Sequence, residues 1–273
     1  MNKESLIEKV CEVFELTGQV VLKAFKKNSG HKIKEDGSPL AAADILANQI
    51  IKNYLLEHWP GIPILSEEDK TSHGSVLSAD LYWAIDPIDG TKEFIQKSGD
   101  FTINIALIEE RKPIFGAIYA PYHSDCWIGL NTEKSMAIEQ KQKSSYKFRL
   151  DCFKNNSVNL KKEEISVNRN IRKTLKIAVS KSHNSTATDI WQRVYFPNQK
   201  IYKIERGSSI KICMIAEGEA DYYPRFGPTC IWDVAAGHAI LCGAGGNIYR
   251  MSNFDYLTYG DTIFNENFLA CKY

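Results

Sequence analysis

The chain has 273 residues, of which 44% are hydrophobic and 25% are charged, a composition typical of a globular protein and unlike that of a disordered or collagen-like chain. Its 34 basic residues against 33 acidic ones give a formal charge of +1, without the strongly basic balance of a dedicated nucleic-acid-binding protein. No apolar run approaches the roughly 20 residues of a membrane-spanning helix. Charged residues also interrupt the N-terminal segment where a signal peptide needs an uncharged core.

Seven cysteines are scattered along the chain without a CxxC pair, so the sequence indicates neither a zinc site nor a dithiol redox motif. Because no export signal precedes them, we expect reduced thiols in a cytoplasmic protein.

The first half of the chain predicts two helices followed by strands. Apolar residues recur every three or four positions from Leu6 to Phe25 and predict an amphipathic helix. A second helix is predicted from about Asp44 to His58, before a Pro-Gly stop. Short apolar or alternating runs then predict strands at 62–65, 81–85, 101–107, 114–119 and 126–130. We interpret these strands as an antiparallel meander covered by the two helices.

The second half predicts alternating strands and helices. Residues 131–173 are polar and lysine-rich, and we interpret them as hairpin tips, a loop and a connection. Beyond them, strands are predicted at 176–180, 200–204, 221–223 and 247–249, and helices at 185–195, 208–217 and 232–242. This alternation is typical of a layered α/β structure. We therefore divide the chain into an N-terminal part, 1–165, and a C-terminal part, 166–273.

Two carboxylates, Asp86 and Asp89, follow a predicted buried strand. Pro87 fixes the backbone between them, and Gly90 permits a conformation that other residues resist. The carboxylates offer oxygen ligands to a hard cation such as Mg²⁺. The amides of Gly90 and Thr91, at the start of a predicted short helix, offer donors to a phosphate. The alternative is that both acids are ordinary turn or cap residues.

Two other segments carry acids that could meet the first pair. Ser66–Asp69 closes another short strand with three consecutive acids, which could equally be a solvated charge run. Asp233 lies near the start of a helix of small residues, where it is either an N-cap or a further metal ligand.

Five segments that span most of the chain carry a resemblance to a known family. They are LSEED (65–69), WAIDPIDGTKEFI (83–95), FTINIAL (101–107), SKSH (180–183) and the stretch 207–240. In them the chain resembles the lithium-sensitive, Mg²⁺-dependent phosphomonoesterases of the inositol monophosphatase superfamily. Within it the chain is most similar to the CysQ-type 3′(2′),5′-bisphosphate nucleotidases.

The resemblance implies a mixed α/β (α+β) fold and a substrate class. The fold is the layered αβαβα sandwich shared with fructose-1,6-bisphosphatase. The activity is hydrolysis of the 3′-phosphate of adenosine 3′,5′-bisphosphate to give AMP and phosphate, with 3′-phosphoadenylyl sulfate as a further substrate and a link to sulfur assimilation. Two or three Mg²⁺ ions would serve as cofactors, and Li⁺ would inhibit.

The resemblance also implies catalytic roles for individual residues. The metal ligands would be Glu67, Asp86, Asp89, Asp233 and the backbone carbonyl of Ile88. Thr91 would orient the attacking water together with Glu67. Asp44 would serve a further metal or water activation, although the segment before it, Leu40–Ala43, lacks the threonine that relatives carry.

Substrate contacts are carried over in the same way. Phosphate would bind the amides of Gly90 and Thr91. The nucleoside and its second phosphate would contact Ser180, His183, Gly207 and Lys211, with Arg225 as a further candidate.

Two alternatives stay open on the sequence. One is a phosphatase of the same fold that acts on inositol phosphate or another sugar phosphate. The other is a non-catalytic regulator that binds nucleotide or metal, whose mark would be the loss of an acid from the set. The expected partner is a small-molecule substrate, with no nucleic acid and no transmembrane segment. The sequence leaves open whether the protein is a monomer or a homodimer, and whether it associates with the inner membrane face.

Overall fold

The computed structural model describes residues 1–27, 39–69, 73–153, 161–181 and 186–273. Two long helices open the chain, α1 at Lys3–Lys27 and α2 at Pro39–His58. The predicted periodicity of α1 is confirmed, because its buried residues lie on one face. Helix α2 begins five residues earlier than predicted, at a proline, whose fixed φ suits the first turn of a helix.

The first sheet has seven strands in sequential order, β1 to β7. Their bounds are Ile64–Ser66, Leu81–Asp89, Thr102–Glu109, Lys112–Ala120, Asp125–Asn131, Lys143–Arg149 and Glu163–Glu164. All neighbouring strands pair antiparallel except β1 and β2, which are parallel. The expected meander is therefore correct only from β2 onward. The pairing of β2 with β3 becomes irregular between Asp86 and Asp89.

The second sheet has five strands in the order β11-β12-β10-β8-β9. Their bounds in chain order are Thr174–Ser180, Lys200–Arg206, Tyr222–Arg225, Asn247–Arg250 and Phe268–Cys271. Strands β8, β9 and β10 run parallel, whereas β12 pairs antiparallel with both of its neighbours. The remaining helices, α3 to α7, span His73–Leu77, Thr91–Ile95, Thr186–Tyr195, Ile210–Ala216 and Ile231–Gly243.

These elements stack in five layers. Helices α1 and α2 cover the outer face of the first sheet, and α6 and α7 lie between the two sheets. Helix α5 covers the outer face of the second sheet. Strand β8 shows the alternation that this requires, since Ala178 joins the central core while Ile177 and Val179 join the outer one. The predicted αβαβα sandwich is confirmed.

Helix α7 lies unusually close to the first sheet. A Cβ atom on Gly116 of β4 would come within 2.1 Å of the Ala236 carbonyl oxygen, and one on Gly129 of β5 within 2.2 Å of the Ile240 Cα. Only glycine allows this approach, so the two strands determine the position of α7 and of the residues at its start.

The segment 131–173 is more than the hairpin tips, loop and connection that we expected, because it contains strands β6 and β7. Residues Ser144 and Ser145 of β6 are buried, and the Ser145 hydroxyl donates to the Ile240 carbonyl of α7 at 2.6 Å. A strand that buries serine instead of aliphatic residues lacks the usual hydrophobic signal. Strand β12 was also not predicted. The division into 1–165 and 166–273 stays a prediction, with one sheet on each side of it.

In the ranges that the structure describes, no helix combines the length and apolarity needed to cross a membrane.

Candidate active site

Acidic side chains gather where β1 and β2 end. Glu67 directly follows β1, and Asp86 and Asp89 lie in the last four residues of β2. Because the two strands are parallel, their carboxyl ends meet at the same edge, and the Glu67 amide donates to the Ile85 carbonyl of β2 at 3.4 Å.

Helix α7 brings a further carboxylate from the second half of the chain. One carboxylate oxygen from each of Glu67, Asp86 and Asp233 lies within 4.8 Å of the other two. Asp233 is the third residue of α7, after the N-cap Cys230, and its Oδ2 accepts a hydrogen bond from the Cys230 amide at 2.7 Å. Asp233 is therefore not the N-cap that one interpretation of the sequence assumed, and its carboxylate joins the acidic cluster.

The cluster is electrostatically unfavourable by itself. Burial, followed by repulsion from Glu67, Asp89 and Asp233, raises the pKa of Asp86 well above its usual value. Burial and the nearby Asp89 raise the pKa of Asp233 to about 7. Like charges this close are stable together only if they are neutralised, by protons or by a bound cation.

Asp44 of α2 faces the same acids. Burial and then Glu68 and Glu67 raise its pKa to about 8. Its Oδ1 atom is buried, and among the described residues it has no hydrogen-bond partner. A buried polar atom without a partner costs free energy unless a ligand satisfies it. With carboxylate oxygens as the whole donor set, these residues fit a hard divalent cation such as Mg²⁺.

Hydrogen bonds from both halves of the chain hold Asp89 in place. Its Oδ2 accepts from the Ser209 amide at 2.7 Å and from the Thr102 hydroxyl at 3.5 Å. Thr102 also contacts the hydroxyls of Ser208 and Ser209 at 2.7 and 2.8 Å, and Ser209 donates to Asn104 at 2.9 Å. This network ties the end of β2 to the turn before α6.

Sequence analysis did not assign these hydroxyl and amide residues a role. The sequence did carry a sign of their role in the FTINIAL segment, where Thr102 and Asn104 are the polar residues of an otherwise apolar strand. Both side chains are buried in the structure. Ser208 is another missed residue, and its φ of +52° is rare for a residue other than glycine.

The turn after β2 has the predicted form. Gly90 has a φ of +93°, and a Cβ atom there would lie 3.0 Å from the Asp100 carbonyl oxygen. The short helix α4 then begins at Thr91, which is exposed, and the Phe94 amide donates to the Gly90 carbonyl at 2.9 Å. The expectation of a helix that opens directly after Gly90 is confirmed.

A cleft of about 260 Å³ extends from this turn towards the second sheet. Its lining includes the predicted residues Asp89, Gly90, Thr91, Ser180, Lys211, Arg225 and Asp233. Because Asp233 belongs both to this lining and to the acidic cluster, the cluster borders the cleft. Gly207 lies beside the cleft-lining Glu93, where a Cβ atom would come within 2.3 Å of the Glu93 Cγ. His183 lies outside the described residues.

Two cations form part of the cleft wall. Lys211 is buried, which lowers its pKa to about 8 even though Asp89 opposes the shift. Its ammonium group donates to the Ser208 carbonyl at 2.5 Å and lies 5.3 Å from the Tyr223 ring centroid. Arg225 donates to the Pro228 carbonyl at 3.1 Å. The cleft thus has acids at one end and fixed positive charge along its side.

The family model for the inositol monophosphatase family matches residues 2–270. The chain belongs to this family. Members of the family use divalent metal ions, typically Mg²⁺, which agrees with the oxygen-rich cluster described above.

Two curated relatives match almost the whole chain. The protein named 3′(2′),5′-bisphosphate nucleotidase CysQ from Escherichia coli O157:H7 is 36% identical over 272 residues, which cover 98% of this chain and 100% of the relative. The CysQ of Salmonella typhimurium is 35% identical with the same coverage.

Solved structures agree with this family membership. The crystal structure of CysQ from Bacteroides thetaiotaomicron superimposes with a TM-score of 0.86 at 30% identity, and covers 99% of this chain and 98% of that one. An inositol monophosphatase from Anabaena has a TM-score of 0.65 at 19% identity, over 98% and 90% of the two chains, and so shows the shared fold alone.

Proposed function

We propose that this chain is a Mg²⁺-dependent 3′(2′),5′-bisphosphate nucleotidase that hydrolyses the 3′-phosphate of adenosine 3′,5′-bisphosphate to AMP and phosphate. The observation that carries the proposal is the convergence of Glu67, Asp86 and Asp233 within 4.8 Å beside a cleft with buried Lys211 in its wall. Full-length relatives with that activity in their names support the choice of substrate. By the same resemblance, 3′-phosphoadenylyl sulfate is a further substrate, which would link the enzyme to sulfur assimilation.

Two or three Mg²⁺ ions would be held by the carboxylates of Glu67, Asp86, Asp89 and Asp233 and by the Ile88 carbonyl, with Asp44 available for a further ion or its water. Divalent ions bound there supply Lewis-acid stabilisation of the charge on the phosphoryl group. The buried, mutually repelling carboxylates and the partnerless Asp44 Oδ1 support this assignment.

The remaining catalytic roles belong to groups of the chain itself. The Thr91 hydroxyl and a Glu67 carboxylate oxygen would orient a water molecule, and that Glu67 oxygen would accept its proton as the water attacks phosphorus. The bond from phosphorus to the ribose 3′-oxygen breaks in this step, and that oxygen leaves with the electron pair and takes a proton from solvent water to become the 3′-hydroxyl of AMP. Amides of Gly90 and Thr91 would hold the phosphate oxygens in place.

Residues of the second half would recognise the nucleotide. Lys211 and Arg225 supply positive charge in the cleft wall, and Ser180 supplies a hydroxyl to the same lining. His183 and Gly207 complete the proposed nucleoside contacts. A buried ammonium such as that of Lys211 is costly to desolvate, so a phosphate in the cleft would stabilise its charged form.

Phosphate release distinguishes this proposal from its alternatives. We expect hydrolysis of adenosine 3′,5′-bisphosphate in Mg²⁺, no hydrolysis after removal of Mg²⁺ with EDTA, and much weaker turnover of inositol 1-phosphate and fructose 1,6-bisphosphate. A clear preference for inositol 1-phosphate would move the chain to the sugar-phosphate branch. Absence of turnover on all three would favour a non-catalytic binding protein.

Lithium provides a separate test of the proposed metal site. We expect Li⁺ at millimolar concentration or below to inhibit phosphate release, because Li⁺ would occupy one Mg²⁺ position after turnover. The measurement is a Li⁺ titration at fixed Mg²⁺, with NaCl at matched ionic strength as the control. Activity that Li⁺ leaves unchanged would contradict this part of the proposal.

A cytoplasmic location, the choice between monomer and homodimer, and association with the inner membrane face stay predictions from the sequence.

A further inference from the structure

The two polar residues of strand β3, Thr102 and Asn104, lie opposite two acids of the site. Asp86 is paired with Asn104 across strands β2 and β3. Asp89 is paired with Thr102. Residues three apart would face opposite sides of a regular strand, but the irregular pairing between Asp86 and Asp89 adds one residue to β2. Because paired residues of antiparallel strands point to the same face, both carboxylates share one face of the sheet with the two polar side chains.

Thr102 is the centre of a buried hydrogen-bond network. Its hydroxyl oxygen lies 2.7 Å from Ser208 Oγ, 2.8 Å from Ser209 Oγ and 2.9 Å from Asn104 Oδ1. The Ser209 hydroxyl donates to the same Asn104 oxygen at 2.9 Å. The side chains of Thr102, Asn104 and Ser209 are all buried. Since a buried polar group that loses its partners is costly, this network fixes the turn at 207–209 against β3.

The turn at 207–209 has a backbone conformation that its contacts must maintain. Ser208 has a φ of +52°, in the left-handed region that residues other than glycine rarely adopt. Asp100 Oδ2 accepts a hydrogen bond from the Gly207 amide at 3.2 Å. Strained backbone of this kind persists only where its surroundings hold it. Loss of the Thr102 hydroxyl should therefore let the turn relax.

Three groups of the candidate active site depend on where this turn lies. The Ser209 amide donates to Asp89 at 2.7 Å. Gly90 packs against Ser208, because a Cβ atom on the glycine would come within 3.1 Å of the serine Cβ. The Lys211 ammonium group donates to the Ser208 carbonyl at 2.5 Å. A displaced turn would therefore shift a proposed metal ligand, a proposed phosphate-binding amide and a buried cation together.

Asn104 extends the network to helix α7. Its Nδ2 donates to the Trp232 carbonyl at 3.4 Å. Trp232 directly precedes Asp233, the acid that α7 brings to the cluster. Asp89 and Asp233 come from distant segments and carry charges that repel each other, so other contacts must keep them close. The network does this with neutral groups, which add no charge to the site.

We propose that Thr102 and Asn104 are positioning residues of the metal site, which hold the Asp89 and Asp233 carboxylates where divalent cations bind them. This rests on the proposed function and extends it to residues that act through the ligands. Carboxylates that bind a metal are oriented by outer hydrogen-bond partners, and replacing such partners typically weakens metal binding by about 10- to 100-fold.

Thr102→Val tests this role, because valine keeps the branched shape and removes the hydroxyl. We expect the dissociation constant of Mg²⁺, measured by calorimetry in inorganic phosphate, to rise about 10-fold or more. Phosphate is present because Mg²⁺ in proteins is usually bound by carboxylates together with phosphate oxygens. The Mg²⁺ concentration for half-maximal turnover should rise with it. Ser209→Ala removes another hydroxyl of the network, keeps the amide bonded to Asp89, and should also weaken Mg²⁺ binding.

Two further variants separate positioning from stability. Thr102→Ser keeps the hydroxyl and should bind Mg²⁺ as tightly as the wild type. Thr132→Val is the matched control, since Thr132 is equally buried, directly follows β5, and donates to the Gln140 carbonyl at 2.5 Å. This control should lower the melting temperature in EDTA, as Thr102→Val does, because both lose buried hydrogen bonds. It should leave the Mg²⁺ affinity unchanged.

The outcomes distinguish this proposal from the proposed function. If the wild type cleaves the bisphosphate and Thr102→Val binds Mg²⁺ as the wild type does, the positioning role is refuted and the nucleotidase function stands. An equal loss of affinity in Thr102→Ser would also refute it, and if Thr102→Val does not fold, unchanged affinity in Ser209→Ala overturns it. If the wild type binds Mg²⁺ but cleaves no nucleotide, the proposed function fails and calorimetry alone decides the positioning role. A wild type that binds no Mg²⁺ would refute both.

Discussion

Asp86 shows how one residue can serve function at the expense of stability. Its side chain is almost completely buried, and its Oδ1 accepts from the Ile88 amide at 3.0 Å. Burial and four neighbouring carboxylates disfavour its charged form, which raises its pKa. A protein selected for stability alone would place an uncharged residue here, because unpaired buried charge is costly.

Asp86→Asn should therefore separate activity from stability. We expect phosphate release in Mg²⁺ to fall by at least about 1000-fold, as for removal of a group that stabilises transition-state charge. In EDTA we expect the variant to unfold at a higher temperature than wild type, because an amide cannot carry the repelling charge. The stabilisation that Mg²⁺ gives the wild type should shrink in the variant.

Asp80→Asn is the control for this substitution. Asp80 is an exposed acid at the opposite end of β2, and its replacement should change neither activity nor melting temperature. Turnover retained in Asp86→Asn would refute the role proposed for Asp86.

At the scale of elements, helix α7 and the glycines beneath it determine where Asp233 lies. Gly116 meets the Ala236 backbone, one turn after Asp233. A methyl group at position 116 has no room, so the helix must move away from the sheet or the strand must bend. The site therefore requires glycine at position 116, because the position of the Asp233 carboxylate depends on how closely α7 packs on the sheet.

Gly116→Ala should weaken both packing and catalysis. We expect the free energy of unfolding to fall by about 1–3 kcal/mol, the usual cost of overpacking a core. The kcat for phosphate release should fall with it, because Asp233 shifts relative to Glu67 and Asp86. Chemical denaturation and steady-state kinetics measure the two effects. Gly74→Ala in α3 is the control, since nothing lies within 4 Å of a Cβ atom there. Equal changes of stability and kcat in the two variants would contradict the packing argument.

At the scale of the whole molecule, Asp100 connects the two sheets. His123 follows β4 of the first sheet, whereas Lys181 directly follows β8 of the second sheet and Arg206 is the last residue of β9. Burial acts to raise the pKa of Asp100, but its hydrogen bonds with His123 and Lys181 and the charge of Arg206 outweigh burial and hold the pKa below its usual value. The carboxylate is therefore more stable as an anion in the folded protein than in the unfolded chain.

This shift predicts a pH dependence of stability. A lowered pKa contributes stability that is fully present above the unfolded value, about 3.9, and is lost as the pH falls towards the folded value. We expect Asp100→Asn to destabilise the protein at pH 7 and the difference from wild type to shrink below about pH 4. Urea denaturation at several pH values measures this difference in the free energy of unfolding.

The exposed Asp261, which pairs with Arg111 on the surface, is the control position, and Asp261→Asn should have little effect on stability at any pH. A difference between Asp100→Asn and wild type that is constant with pH would contradict the argument.

The sequence by itself determined what depends on neighbours along the chain. The periodicity of α1, the alternation in β3, the Gly90 turn and the helix that follows it were all predicted, because each depends on a few adjacent residues. The family motifs also led to the fold class and to the acids of the site as candidates.

Only the tertiary structure decided which of these groups meet in space. Asp233 joins Glu67 and Asp86 because α7 packs on glycines of β4 and β5. The Ser209 amide donates to Asp89 although the two residues are 120 positions apart in the sequence. The four contacts of Asp100 and the buried serines of β6 likewise have no local signal. Such contacts arise from packing between distant segments, which hydrophobic periodicity and turn chemistry do not encode.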